Sequence, residues 1–245
     1  MSRTALVTGG SRGIGAAIAL RLAQEGVDVA ITYVRDEEAA QEVVRKIEAA
    51  GQRAVALRAD AADAEAAGSV VGRAVDALGS PGSLDILVNN AGVGVLGPIG
   101  TLSADDVDRA LAVNVRAVFL ASQTAAARME RGGRIVSVGT CMTKYVPGPG
   151  GTLYAMSKAA LIGLTKALAR ELGDRGITAN LIHPGPIDTG MNPADGPYAD
   201  PQKASTALGR FGTPDEVASL VAYVTSDEAA YITGAELSVD GGHAA

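Results

Sequence analysis

Seven short apolar runs, spaced by stretches of helical periodicity, restrict this chain more than any other feature. They are ALVTG (5–9), VDVAITY (27–33), AVALRAD (54–60), LDILVNNAG (84–92), GRIVSVG (133–139), ITANLIHPG (177–185) and AELSVDGG (235–242). The intervening segments include GIGAAIALRLAQEG, DEEAAQEVVRKIEAAG, ADDVDRALAVNVRAVFLASQTAAARM and YAMSKAALIGLTKALARELGDRG, and each can bury one face of a helix. Several close on a glycine, at Gly26, Gly51 or Gly176, a usual helix stop. Strand, helix, strand in this rhythm calls for right-handed crossovers and a parallel sheet covered on both faces. The fold class expected is therefore α/β, a single-domain, doubly wound Rossmann-type sheet of about seven strands.

Composition agrees. The chain has 245 residues, is 47% hydrophobic, and has two Phe and no Trp, so its core must be built from Ala, Val, Leu and Ile, as buried parallel sheets prefer. A net charge of −6 argues against general affinity for nucleic acid or an anionic membrane. One Cys excludes an internal disulfide and suits a reducing compartment, and two distant His residues offer no metal-ligand spacing. The N-terminus runs straight into a strand pattern without a signal-peptide h-region, and no run approaches eighteen or so apolar residues; a cytoplasmic protein is expected. The loops at 143–152 and 189–206 are the long ones, placed where such sheets shape ligand sites.

The turn TGGSRGIG (8–15) joins the first strand to the first helix. Gly9, Gly13 and Gly15 permit a tight turn, close approach of backbone to a pyrophosphate, and close packing of helix on strand, with Ser11, Arg12 and Ile14 between them. Such a turn also occurs for the turn's sake alone. A site preferring NAD usually shows an acid near the end of the second strand, where this chain reads ITYVRDE. Tyr33 and Arg35 stand there, and with Arg12 they could meet a 2′-phosphate, which favours NADP(H) over NAD(H). Asp36 keeps NAD open if the strand ends later, and both arginines could simply be solvated.

The ordered set TGGSRGIG, Asp60-Ala61, NNAG (89–92), Asn114 in NVRAVF, YxxxK at 154–158, Pro184-Gly185 and GAELSVDGG resembles the short-chain dehydrogenase/reductase family, within it the 3-oxoacyl-(acyl-carrier-protein) reductase-like group. The resemblance covers nearly the whole chain. It implies a dinucleotide-binding half at about 1–92 and a catalytic and substrate half at about 93–245, including the 189–206 loop. Asp60 would bond the adenine amino group with Ala61 adding backbone, although Asp60 could equally cap the next helix. Asn89, Ala91 and Gly92 would lie beneath the cofactor, with Asn89 and Gly92 on the adenosine ribose side. Pro184, Gly185 and Ile187 would shape the nicotinamide pocket, and Thr189 would bond the nicotinamide amide or the pyrophosphate.

For catalysis the resemblance implies Tyr154 as acid–base, with Lys158 one helical turn away lowering its pKa and bonding the nicotinamide ribose. Asn114 would hold a water that relays protons to Lys158, the plain alternative being a polar residue satisfying a helix irregularity. The family's serine just past the fifth strand is missing. Strand register puts Thr140 in its place, fourteen residues before Tyr154, whereas the usual spacing of about thirteen selects Cys141. Register is preferred, because a one-residue loop insertion is cheap and a strand slip turns every side chain over; a hydroxyl is also the better hydrogen-bonding group. The order is Thr140, Cys141, then Ser137, the last buried within the strand.

The leading expectation is NADPH-dependent reduction of a ketone, on a 3-oxoacyl or related β-keto substrate. An NAD(P)-dependent alcohol or sugar dehydrogenase and a noncatalytic nucleotide-sensing homologue are the alternatives. Arg131 and Arg175 match positions at which acyl-carrier-protein reductases carry arginines near the site mouth, or are surface arginines at helix ends. The family implies a homotetramer paired through helices at about 103–129 and 154–173.

Overall fold

The computed structural model describes residues 2–79 and 83–245. Strand β1 (Thr4–Val7) leads through the glycine turn into helix α1 (Gly13–Gln24). Then come β2 (Asp28–Tyr33), α2 (Glu37–Ala49), β3 (Ala54–Arg58), α3 (Ala64–Ala77) and β4 (Ile86–Asn89). The second half holds α4 (Ala104–Leu111), α5 (Ala117–Arg128), β5 (Arg134–Val138), α6 (Thr152–Leu172), β6 (Thr178–Pro184), α7 (Ala199–Ala204), α8 (Pro214–Thr225) and β7 (Glu236–Val239). The seven strands form one sheet in the order β3-β2-β1-β4-β5-β6-β7, with every pairing parallel.

Strands β1 and β4 to β6 are buried along their whole length, which is why they read as continuous rather than alternating apolar runs. One apolar layer packs Ile18, Leu22, Ile47 and Val221 of α1, α2 and α8 on the sheet. The opposite layer packs Val71, Val75, Ala125 and Leu172 of α3, α5 and α6. The chain order reverses between β1 and β4, so a crevice opens there at the carboxyl ends of the strands.

Two departures from the sequence reading bear on the site. The strands are shorter than the apolar runs: LDILVNNAG pairs only over Ile86–Asn89, and its last three residues are a loop on the crevice. The helix expected over 104–129 is one rod interrupted by a π-helical turn, Ala112–Arg116, carrying Asn114. Among the described residues this rod is also long and apolar enough to cross a membrane by length and average hydropathy, although unbroken apolar runs of that length are missing. Its inner face is buried against α3 and the sheet.

Candidate active site

The glycine turn is held from two sides. Gly9 (φ +65°) and Gly13 (φ +55°) take left-handed conformations that a side chain would strain. The Gly9 N–H donates to Thr32 Oγ1 at 2.8 Å. Asn90 Nδ2 donates to the carbonyls of Thr8 at 2.9 Å and Gly9 at 3.1 Å, and the Asn90 and Ala91 N–H groups donate to Thr8 Oγ1, each at 3.0 Å. A Cβ on Gly15 would lie 2.4 Å from Asn90 Nδ2 and 2.3 Å from the Gly9 carbonyl. The third glycine therefore serves this latch as well as helix packing. Asn90 is a residue the sequence reading passed over, although the doubled asparagine of NNAG was the signal for it.

No side chain caps the first turn of α1; its N-cap, Arg12, is extended and contributes none. The N–H groups at that helix end face the crevice with the positive end of the helix dipole, a setting for phosphate. Arg12 and Arg35 are exposed, and among the described residues neither forms an ion pair. Asp36 is committed elsewhere: it caps α2 by accepting from the Ala39 N–H at 2.9 Å. Tyr33 is only 8% exposed and packs with the core layer of α1 and α2. Of Tyr33, Arg35 and Asp36 at the strand end, then, only the arginine is both exposed and uncommitted.

Asp60, Ala61, Asn89, Ala91, Thr8 and Val113 line a small cavity of about 30 Å³ at the ends of β1, β3 and β4. Asp60 does not cap α3. That cap is Asp63, accepting from Glu65 and Ala66 N–H groups, while Asp60 turns the chain through Ala62 N–H at 2.9 Å. The Asn89 amide points into the protein, donating to Ser122 Oγ at 3.0 Å and reaching Ser137 Oγ at 3.5 Å. Ser137 is thus buried within the sheet as expected.

Across the crevice, Gly185 follows β6, and its N–H donates to the Val239 carbonyl at the end of β7 at 2.9 Å. Ile187 is buried, and Thr189 stands over the glycine turn, its γ-methyl 3.5 Å from where a Cβ on Gly13 would be. Ser11 and Ile14 are half-buried beside the same turn, and Pro184 closes β6. These residues place helix N–H groups and exposed guanidiniums at one end of the crevice and apolar walls at the other.

Tyr154 and Lys158 lie on α6 and both meet the end of β5. Lys158 Nζ donates to the Val138 carbonyl at 2.7 Å and would lie 3.1 Å from a Cβ on Gly92, which ties the lysine to the NNAG loop. Burial alone pushes the Lys158 ammonium down to about 8. Burial is also the main influence on the Tyr154 phenol, and it raises that pKa; the Thr140 hydroxyl beside it pulls the other way. Burial thus opposes the acidification expected from Lys158.

The Thr140 hydroxyl is the neighbour that lowers the Tyr154 pKa by hydrogen bonding, which is the position that strand register favoured. Cys141 is buried in the 3-10 turn Cys141–Thr143, and burial followed by the nearby Asp240 charge pushes its thiol up to about 11. Asn114 is fully buried. Its Oδ1 accepts from Val93 N–H at 2.9 Å, and its Nδ2 donates to Val93 O and to Ser157 Oγ, both at 3.0 Å. The amide therefore clamps the NNAG loop to α6 through Ser157, a partner for which the sequence carried no signal.

Arg131 and Arg175 are not near this site within the protomer. They sit where α5 ends and β5 begins, at the opposite, amino-terminal edge of the sheet. Arg175 donates to the carbonyls of Ala126 (2.8 Å) and Met129, and Arg131 donates to Asp174 O at 3.1 Å. They finish helix ends, where exposed carbonyls attract cations. Among the described residues there is no group of three or more potential metal ligands.

The fold superposes on a short chain dehydrogenase from Burkholderia cenocepacia J2315 in complex with NADP, with TM-score 0.96 and 56% identity over 99% of this chain and 98% of that one. A family model described as Enoyl-(Acyl carrier protein) reductase matches residues 9–244. The chain belongs to the short-chain dehydrogenase/reductase family. As a short-chain dehydrogenase/reductase it is an oxidoreductase. A relative 43% identical, aligned over 98% of this chain and 96% of its own length, is the cyclic-di-GMP-binding biofilm dispersal mediator protein of Escherichia coli K12. Another is the 3-oxoacyl-(acyl-carrier-protein) reductase FabG of Staphylococcus aureus Mu50, 39% identical over 99% of this chain and 98% of its own.

Proposed function

We propose that this short-chain dehydrogenase/reductase reduces a ketone to a secondary alcohol with NADPH, on a 3-oxoacyl or related β-keto substrate. The observation that carries the reading is the meeting of Tyr154, Thr140 and Lys158 at the end of β5. The phenol is protonated at neutral pH and can give its proton to an oxygen that becomes negative. Bound NADPH supplies the hydride. The chain supplies the rest: Tyr154 delivers the proton, and Thr140 adds a hydrogen bond to the developing alkoxide. Lys158, held by the Val138 carbonyl, stands ready for the nicotinamide ribose, and Asn114 fixes the loop beside it, close enough to feed that lysine a water-borne proton.

NADPH is favoured over NADH because Asp36 is used as a helix cap while Arg12 and Arg35 remain open for a 2′-phosphate. We assign Asp60 and Ala61 to the adenine, Asn89, Ala91 and Gly92 to the floor of the crevice, and Pro184, Gly185, Ile187 and Thr189 to the nicotinamide side. The halves at about 1–92 and 93–245 then bind cofactor and substrate respectively, and a cytoplasmic setting suits the unpaired thiol. Mixing the protein with NADPH and a panel of 3-oxoacyl thioesters should consume NADPH absorbance. In the double variant Arg12→Ala/Arg35→Ala the NADPH Kd should rise by at least about tenfold, as loss of charge-assisted phosphate bonds requires, with NADH binding unchanged. An equal loss for both nucleotides would remove the argument for NADPH.

The relative with a cyclic-di-GMP-binding role favours one second reading, a nucleotide-binding protein without turnover. Binding of nucleotide with no ketone reduced across the panel would select it.

A further inference from the structure

His183 is fully buried on β6, directly behind the end of β5, and neither cofactor binding nor proton transfer uses it. Its Nδ1 lies 2.9 Å from the Thr140 carbonyl and 3.3 Å from Thr143 Oγ1. A carbonyl only accepts, so Nδ1 must carry the hydrogen. Nε2 is then a bare lone pair. Among the described residues it has no hydrogen-bond partner, and its neighbour at 3.4 Å is the Glu236 carboxylate, which is already paired with Lys166 at 2.8 Å. Burying such a nitrogen is costly, and a leucine would fill the place without that cost. The ring's close seat also restricts the neighbouring strand end, since a Cβ on Gly139 would lie 2.8 Å from Nδ1.

Three successive backbone polar groups at the end of β5 are thus pinned by α6 and β6. The Val138 carbonyl takes Lys158 at 2.7 Å, the Gly139 N–H donates to Ile182 O at 2.7 Å, and the Thr140 carbonyl takes the His183 ring at 2.9 Å alongside the Thr143 N–H at 3.2 Å and the Thr143 hydroxyl at 3.0 Å. Of the three bonds to that carbonyl, the one from His183 comes from outside the local turn and ties the residue whose hydroxyl faces Tyr154 to β6. We propose that His183 is a positioning residue for the reaction: its Nδ1–H holds the Thr140 backbone so that the Thr140 hydroxyl stays on the Tyr154 side of the turn. The assignment rests on the ketone-reducing role given above for Thr140.

The test compares His183→Asn, whose amide can reproduce the Nδ1 donor, with His183→Leu, which keeps the volume and removes the donor. For the ketone the wild type turns over, His183→Leu should lower kcat by about 10- to 100-fold, as a misplaced catalytic group does, with the KM for NADPH unchanged. His183→Asn should recover most of that loss. A turnover-independent reading comes from the Thr140 methyl resonance in threonine-labelled protein, assigned by its disappearance in Thr140→Ser. It should shift in His183→Leu and hold its place in His183→Asn. Should His183→Leu fail to fold, the asparagine variant decides: a displaced methyl signal or a lost kcat there overturns the proposal. So does an unmoved methyl signal in a folded His183→Leu, whether or not any ketone is reduced; absence of turnover in the wild type with the methyl shifts as expected would instead defeat only the ketoreductase reading.

Discussion

Thr140 and Cys141 are adjacent, both buried and both within reach of Tyr154, yet they differ in what they can give an alkoxide. Thr140→Ala should cut kcat about 100-fold, the usual cost of removing one donor to a developing oxyanion. Cys141→Ala should leave kcat near the wild-type value, because a thiol held at about 11 is a poor donor in a packed position; steady-state kinetics on both variants decides. Lys158 makes a different kind of prediction. Its unfolded value of 10.5 falls to about 8 on folding, so the unfolded chain binds more protons between those values and stability rises with pH there. Below about pH 8 the buried ammonium costs up to roughly 3 kcal/mol. Lys158→Met should therefore melt higher than the wild type at pH 7, and the difference should close by pH 10.5 in a series of thermal scans.

At the scale of elements, α8 begins with a capping box in which Thr213 Oγ1 accepts from Glu216 N–H at 3.3 Å and the Glu216 carboxylate accepts from Thr213 N–H at 2.8 Å. Arg210 adds a forked pair to the same carboxylate. Thr213→Ala should cost about 1 kcal/mol, which lowers the melting temperature by about 2–4 °C in a chain of this size; calorimetry measures it directly. The parallel sheet and the approximate strand positions were open to reading from sequence, because apolar period and turn glycines are local. What was not local was not legible. The choice between Thr140 and Cys141 could be argued only from register, and the raised Tyr154 pKa depends on how deeply α6 is packed. Asp36 looked like a possible ribose ligand and proved to be a cap, a difference set by where β2 ends. For Arg131 and Arg175, likeness of position along the chain said nothing about which end of the sheet each occupies within the protomer.

For the molecule as a whole, Leu111 and Phe119 on the rod and Met156 on α6 leave apolar side chains facing outward, Phe119 and Met156 each 51% exposed. A face of that kind on two long helices marks an association surface, and we propose the tetramer built on it. Light scattering should report four chains of 24.6 kDa, and Phe119→Asp should yield a smaller species; a monomer in the wild type would refute the assembly. The π-helical turn at Ala112–Arg116 has a consequence of another sort. It holds one residue more than a regular turn needs, and because the wide turn absorbs that residue, excising one there would let the rod run straight with its two flanks kept nearly in their present phase. What would be lost is the local bulge that seats the Asn114 amide against Val93 and Ser157. Lineages descended from this chain are thus free to drift in the letters around Asn114 but not in their number, so length conservation across 112–116 is the mark to seek when its relatives are aligned.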